Sequence, residues 1–294
     1  MSKHCNNVTP TERLSFIEKD PIYHCKCEYC TKGKFLGEIF NSKENKYYSQ
    51  IARKKYYPKI DNKKFPHNNP GHWPGYRFAI HNLTKEGDIV FDPTVGTGTA
   101  IVEAENNNRI GVGIELEFPE TTKYMTENRG TVISGNALTV DPKTFLEKDS
   151  IQLLINGTPY LTFGSQSSDA PFGPKDQEQY GDYKHTDNIG KWKEKYYKKH
   201  IHKLYTRYIP YIKEGGYLCI IIKDPTNNKK PYNLHKLIID NILENNPEMV
   251  HYGSFVHRHI PTTFFMNTYE KINNIPLKVW HQTAIILKKI EKEL

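Results

Sequence analysis

The chain is poor in cysteine, has no long apolar run and lacks an excess of acidic residues. It has 294 residues and five cysteines: Cys5, Cys25, Cys27, Cys30 and Cys219. An odd count with three crowded together excludes a secreted disulfide framework. No apolar stretch approaches the ~20 residues that a membrane-spanning helix needs. Met1 to Asn7 is polar and lacks the apolar region of a signal peptide. The expectation is a soluble, cytoplasmic protein with no membrane partner. Hydrophobic residues make up only 37%, a low share for a globular chain. They gather into short runs at 88–91, 110–114, 151–155 and 217–222, which is enough to build a core.

What the chain does have is basic charge. Lys+Arg is 41 against Asp+Glu 33, for a net charge of +8. Such an excess favours a polyanionic partner, because Lys and Arg contacts to phosphates release counterions. A compositional bias toward Lys, Asn, Ile and Tyr explains it equally well. Basic residues crowd between Lys193 and Arg207, where they either track a phosphate backbone or form a solvated helix face.

Organisation sharpens along the chain. Residues 1–64 carry little periodicity beyond a capping box at Thr9-Pro10-Thr11-Glu12, and read as an N-terminal region. From residue 65 to 294, runs of strand type alternate with helical patterns. Strands are expected at 88–91, 110–114, 131–133, 151–155, 217–222 and 279–287, and helices at 99–106, 119–127, 191–212 and 234–243. This alternation predicts an α/β domain, a mostly parallel sheet with helices on both faces. The polar segment 164–190 is long for a loop and reads as functional or mobile.

The segment Phe91-Asp92-Pro93-Thr94-Val95-Gly96-Thr97-Gly98-Thr99 follows a strand and opens a helix. Glycines there allow a tight turn and close approach of a ligand to the backbone. The next strand ends in Glu115, 19 residues after Gly96, where a carboxylate can accept both hydroxyls of a ribose. The third strand leads into Asn136-Ala137, where an amide can face an adenine edge. Asp92-Pro93 ahead of the glycines departs from the dinucleotide pattern.

These residues resemble the DNA amino-methyltransferases. Phe91 to Thr99 is similar to their first motif, Asp-Pro-Phe-x-Gly-x-Gly-Thr, and His72-Trp73-Pro74-Gly75-Tyr76 is similar to the His-x-Phe-Pro segment that precedes it. The resemblance implies a Rossmann-like class I methyltransferase fold with S-adenosylmethionine as cofactor. It places His72, Trp73 and Pro74 at the methionine end, with Asp92, Thr94, Gly96, Gly98, Thr99, Glu115, Asn136 and Ala137 around the rest. Asn136 stands where the family usually has aspartate.

Asn156-Gly157-Thr158-Pro159-Tyr160 follows the fourth strand and resembles the catalytic motif (Asp/Asn/Ser)-Pro-Pro-(Tyr/Phe/Trp), especially its Ser-Pro-Pro-Tyr form. An aromatic amine is a weak nucleophile, because its lone pair is delocalised into the ring. In the family motif a polar side chain and a backbone carbonyl accept its hydrogens and localise that pair. Tyr160 would stack on a base flipped from the duplex. Aligned on Pro159-Tyr160, Gly157 stands where the polar side chain is expected and Thr158 where the first proline is expected. Asn156 is one place out of register, so its side chain should point elsewhere. A serine restored at 157 is expected to keep or raise activity.

The resemblance spans residues 65–287 and implies methylation of double-stranded DNA at N4 of cytosine or N6 of adenine. Such enzymes stand alone or serve restriction–modification systems, in the cytoplasm or on the nucleoid. The Gly157-Thr158 departure keeps two alternatives open: a catalytically silent nucleic-acid-binding subunit working with a partner chain, and an RNA amino-methyltransferase. Target recognition is expected in residues 164–190, in the N-terminal region or around 247–276. Cys25, Cys27 and Cys30 suit a structural zinc site completed by Cys5 or His4, or are simply reduced thiols.

Overall fold

The structure, a computed structural model, describes residues 34–40, 73–158, 194–222, 226–227, 230–231, 234–258 and 281–290. The strands are β1 (Lys34–Phe40), β2 (Ile89–Asp92), β3 (Ile110–Glu115), β4 (Thr131–Ser134), β5 (Ile151–Gly157), β6 (Ile212–Ile222), β7 (Thr226–Asn227), β8 (Lys230–Pro231), β9 (Met249–Arg258) and β10 (His281–Lys289). The helices are α1 (Trp73–Leu83), α2 (Thr99–Glu105), α3 (Pro119–Met125), α4 (Glu194–Tyr208) and α5 (Leu234–Asn245). None of these helices is long and apolar enough to cross a membrane.

Eight strands form one sheet in the order β1-β9-β10-β6-β5-β2-β3-β4, and β7 and β8 make a separate small hairpin. All neighbours in the large sheet run parallel except β10, which is antiparallel to both β6 and β9. Without β1, the order is the doubly wound arrangement of the Rossmann-like class I methyltransferases: three strands wound one way from β2, two wound the other way from β5, and a reversed strand next to the far edge. The chain changes winding direction between β2 and β5, the switch point where such sheets place their ligands.

Pleat alternation sorts the core into two layers. Leu154, Leu218, Ile220, Ile222, Ile285 and Leu287 face α4 and α5. Leu153, Ile155, Cys219, Ile221, Ala284 and Ile286 face α1 and α2. Consecutive residues of a strand point to opposite faces, so one sequence position decides which helix layer a side chain meets. An ion pair between Arg77 and buried Glu103 (2.7 Å) fixes α1 to α2.

Several elements depart from the sequence expectation. β5 runs through Asn156 and Gly157, so these residues belong to the last pleat of a strand and not to the turn after it. β6 begins at Ile212 and takes in the Gly215-Gly216 pair, where Gly215 has a φ of 75° and the pairing with β5 shifts register. β9 occupies the start of the 247–276 region, and β1, from the N-terminal region, pairs with it at the sheet edge. Both lack the clean two-residue alternation that marks a strand in sequence.

Candidate functional site

The glycine turn after β2 is held from both sides. Gly96 and Gly98 adopt φ of 56° and 88°, the left-handed region that costs a residue with a Cβ about 1–2 kcal/mol. A Cβ on Gly98 would also strike the Thr126 side chain. Thr122 in α3 donates its hydroxyl to the Gly96 carbonyl (2.5 Å), and the Val95 amide bonds to the Ile114 carbonyl of β3 (3.0 Å). These contacts, not a capping side chain, shape the start of the seven-residue α2. Thr99 Oγ1 is buried there and makes no hydrogen bond among the described residues.

Glu115 ends β3 beside this turn. Its Oε1 accepts the Glu117 and Phe118 amides (2.9 and 3.2 Å), and the Gly96 amide also bonds to the carboxylate. Burial raises its pKa against the lowering effect of those donors. At the end of β4, Asn136 Oδ1 accepts the Leu138 amide (2.8 Å) and the Ala137 carbonyl accepts the Tyr208 hydroxyl (2.7 Å), which ties that turn to α4. Asp92, Gly96, Gly98, Thr99, Glu115, Asn136 and Ala137 thus lie at the carboxyl ends of three adjacent parallel strands. A glycine turn, a carboxylate beside it and an orphaned hydroxyl fit a nucleoside-bearing cofactor such as S-adenosylmethionine.

β5 meets that edge through a buried polar chain. Asn156 is fully buried and donates its amide to Asp92 Oδ1 (2.8 Å) and to Thr94 Oγ1 (2.7 Å). The Thr94 backbone amide bonds to the same Asp92 oxygen (3.0 Å). On its other side, Asn156 Oδ1 accepts the Tyr205 hydroxyl (2.9 Å), which also bonds to Thr158 Oγ1 (2.7 Å). Asp92 is enclosed, and burial pushes its pKa up to about 7 despite the Asn156 and Thr94 donors, with Glu115 adding a like charge. Burial likewise raises the Tyr205 pKa, so this hydroxyl stays neutral.

The pleat explains the division of labour along this strand. Asn156 and Thr158 share the face of Leu154 and meet Tyr205 of α4, and Gly157 shares the face of Ile155 and meets α1. The Asn156 side chain does point away from position 157, toward Asp92 and Tyr205. Gly157 is exposed, and a Cβ built on it would lie 2.5 Å from the Tyr76 hydroxyl oxygen. A serine at 157 would require the Tyr76 hydroxyl to shift.

Tyr205 has a role that the sequence reading did not assign. It lies on the buried stripe Ile201-Leu204-Tyr205-Tyr208 of α4, whose i, i+3, i+4, i+7 spacing was the available signal. Arg207, counted with the basic stretch, donates to the Thr139 and Val140 carbonyls and serves packing. Trp73 and Pro74 open α1. His72, Pro159, Tyr160, the segment 164–190 and the cluster Cys25, Cys27 and Cys30 lie outside the described residues. Cys219 is buried in the core. Among the described residues no group of His, Cys, Asp and Glu side chains is arranged to hold a metal.

Residues 3–122 match the family model described as DNA methylase, a match that takes in α1, the glycine turn and β3 and stops before β5. No curated protein matches the chain. Among solved structures it is similar to a TehB-like SAM-dependent methyltransferase from Corynebacterium glutamicum, at 10% identity and a TM-score of 0.44, covering 84% of this chain and 97% of that one. An rRNA methylase from Streptococcus thermophilus is similar at 10% identity and a TM-score of 0.40, covering 76% and 99%. A geranyl diphosphate C-methyltransferase from Streptomyces coelicolor, in complex with S-adenosyl-L-homocysteine, is similar at 12% identity and a TM-score of 0.43, covering 74% and 79%. Over residues 3–122 the chain is therefore similar to the DNA methylase family.

Proposed function

We propose that this protein transfers the methyl group of S-adenosylmethionine to the exocyclic amine of a base in double-stranded DNA, N4 of cytosine or N6 of adenine. The observation that carries this reading is the Asn156–Asp92 hydrogen bond of 2.8 Å, which joins the end of β5 to the glycine turn after β2 across the switch point. It couples the segment that resembles the catalytic motif to the segment that resembles the cofactor motif.

Bound S-adenosylmethionine supplies an electrophilic methyl group. Gly96 and Gly98 let the backbone approach it, and Glu115 accepts its ribose hydroxyls. Asn156, Thr158 and Tyr205 are positioning residues: their buried hydrogen bonds fix the pleat that aims Gly157 at the site. Pro159 and Tyr160 follow directly, and Tyr160 is the residue proposed to stack on the flipped base, a contact worth about 1–3 kcal/mol. Positioning the amine against the methyl group supplies most of the rate. The net charge of +8 supports a phosphate-backbone partner.

The test is a transfer assay with labelled S-adenosylmethionine on unmodified duplex DNA, followed by mass analysis of the nucleosides. N4-methylcytosine or N6-methyladenine is expected, and Tyr160→Ala should lower the yield while leaving cofactor affinity nearly intact. Label in RNA alone would make it an RNA enzyme. Cofactor binding without transfer to any nucleic acid would mark a silent subunit.

A further inference from the structure

Position 157 has no side chain, yet it is not without a polar group. Tyr76 reaches it from α1, with its ring in the core layer formed by Ala79, Ile80, Leu153 and Ile155 and only 7% of its surface exposed. Apart from chain neighbours, Tyr76 is the one described residue within 4 Å of a Cβ placed on Gly157, with Oη at 2.5 Å and Cζ at 3.7 Å. The side-chain oxygen of an aspartate or asparagine lies about 2.4 Å from its own Cβ by ordinary bond lengths. The Tyr76 hydroxyl therefore stands as far from this point as such an oxygen would. The neighbouring polar side chains are committed elsewhere: Asn156 is fully buried and Thr158 is 2% exposed, both bonded to Tyr205 on the opposite face.

We propose that, given the amine methylation proposed above, the Tyr76 hydroxyl orients the substrate amine, taking over from another element the role of the polar side chain missing at Gly157. The amine N–H donates to Tyr76 Oη, which draws the nitrogen lone pair out of conjugation and toward the methyl group. Gly157 is then a necessary partner and not a lesion, because any side chain there would displace the hydroxyl. The rigid ring and the Arg77–Glu103 ion pair in the next residue of α1 hold the oxygen in place.

The experiment compares wild type with Tyr76→Phe, Gly157→Ser and the double variant. Each is measured for kcat and KM on duplex DNA, for S-adenosylmethionine affinity by calorimetry and for its urea unfolding midpoint. Tyr76→Phe removes one oxygen and keeps the ring. Its kcat should fall about tenfold or more, with cofactor affinity within about twofold of wild type. Gly157→Ser alone should lower both midpoint and kcat. In the double variant Cζ is the nearest atom, at van der Waals distance, so the midpoint should recover and the serine hydroxyl should restore part of kcat above Tyr76→Phe. An active wild type with an equally active Tyr76→Phe overturns this inference alone. So does a folded, cofactor-binding double variant no faster than Tyr76→Phe. A wild type that binds cofactor and methylates no nucleic acid overturns the functional reading and this inference with it.

Discussion

Replacing Asp92 by Asn should change how the cofactor-free protein responds to pH. Burial raises the Asp92 carboxyl from its ordinary 3.8 to about 7. Between those values the folded protein keeps a proton that the unfolded chain has released. Stability from this group is therefore complete below about pH 3.8 and is lost as pH rises through about 7. At about 1.4 kcal/mol per pH unit, the full interval corresponds to roughly 4 kcal/mol. Asparagine keeps one oxygen to accept the Thr94 amide and the Asn156 amide, and it has no proton to lose. Urea unfolding of both proteins at several pH values between 4 and 8, without cofactor, isolates the effect. Glu115, whose pKa is also raised, is present in both proteins, so its own burial cancels in their difference and only its smaller like-charge coupling to Asp92 remains. Asp92→Asn should gain on wild type steadily as pH rises, by up to roughly 4 kcal/mol. Stability curves that stay parallel across this range would refute the enclosed, protonated carboxyl.

Two further perturbations test the frame around the site. Gly98→Val places a branched side chain at φ 88° and against Thr126, so calorimetry should show much weaker S-adenosylmethionine binding; unchanged affinity would remove the glycine turn from the cofactor site. Tyr205→Phe deprives Asn156 Oδ1 of its donor and Thr158 Oγ1 of its partner in a buried setting, a loss of about 1–3 kcal/mol readable in the urea midpoint; an unmoved midpoint would show that this network adds no stability.

Much of the frame of the candidate site was legible in sequence because its signals are local. A short apolar run, two glycines in a turn and a carboxylate after the next run define β2, the turn to α2 and Glu115 within one stretch of chain. The class of fold follows from strands alternating with helices. Other features depend on partners distant in sequence. β1 and β9 lack clean alternation and become strands by pairing with each other, with β10 completing the far side of β9. Tyr205 looks like one more core aromatic until α4 packs on the sheet and its hydroxyl finds Asn156, 49 residues away.

Position 157 shows the boundary most clearly. The sequence by itself determined that a polar side chain is absent there and that Asn156 is out of register. Only the tertiary structure decided which side chain stands beside it. The pleat of β5 turns Asn156 toward α4 and Gly157 toward α1, and the packing of α1 on the same layer brings the Tyr76 hydroxyl to the vacant place. Residues 76 and 157 are joined by no local pattern; they meet because α1 packs on the sheet face toward which Gly157 points, and that adjacency exists only once the strands are ordered.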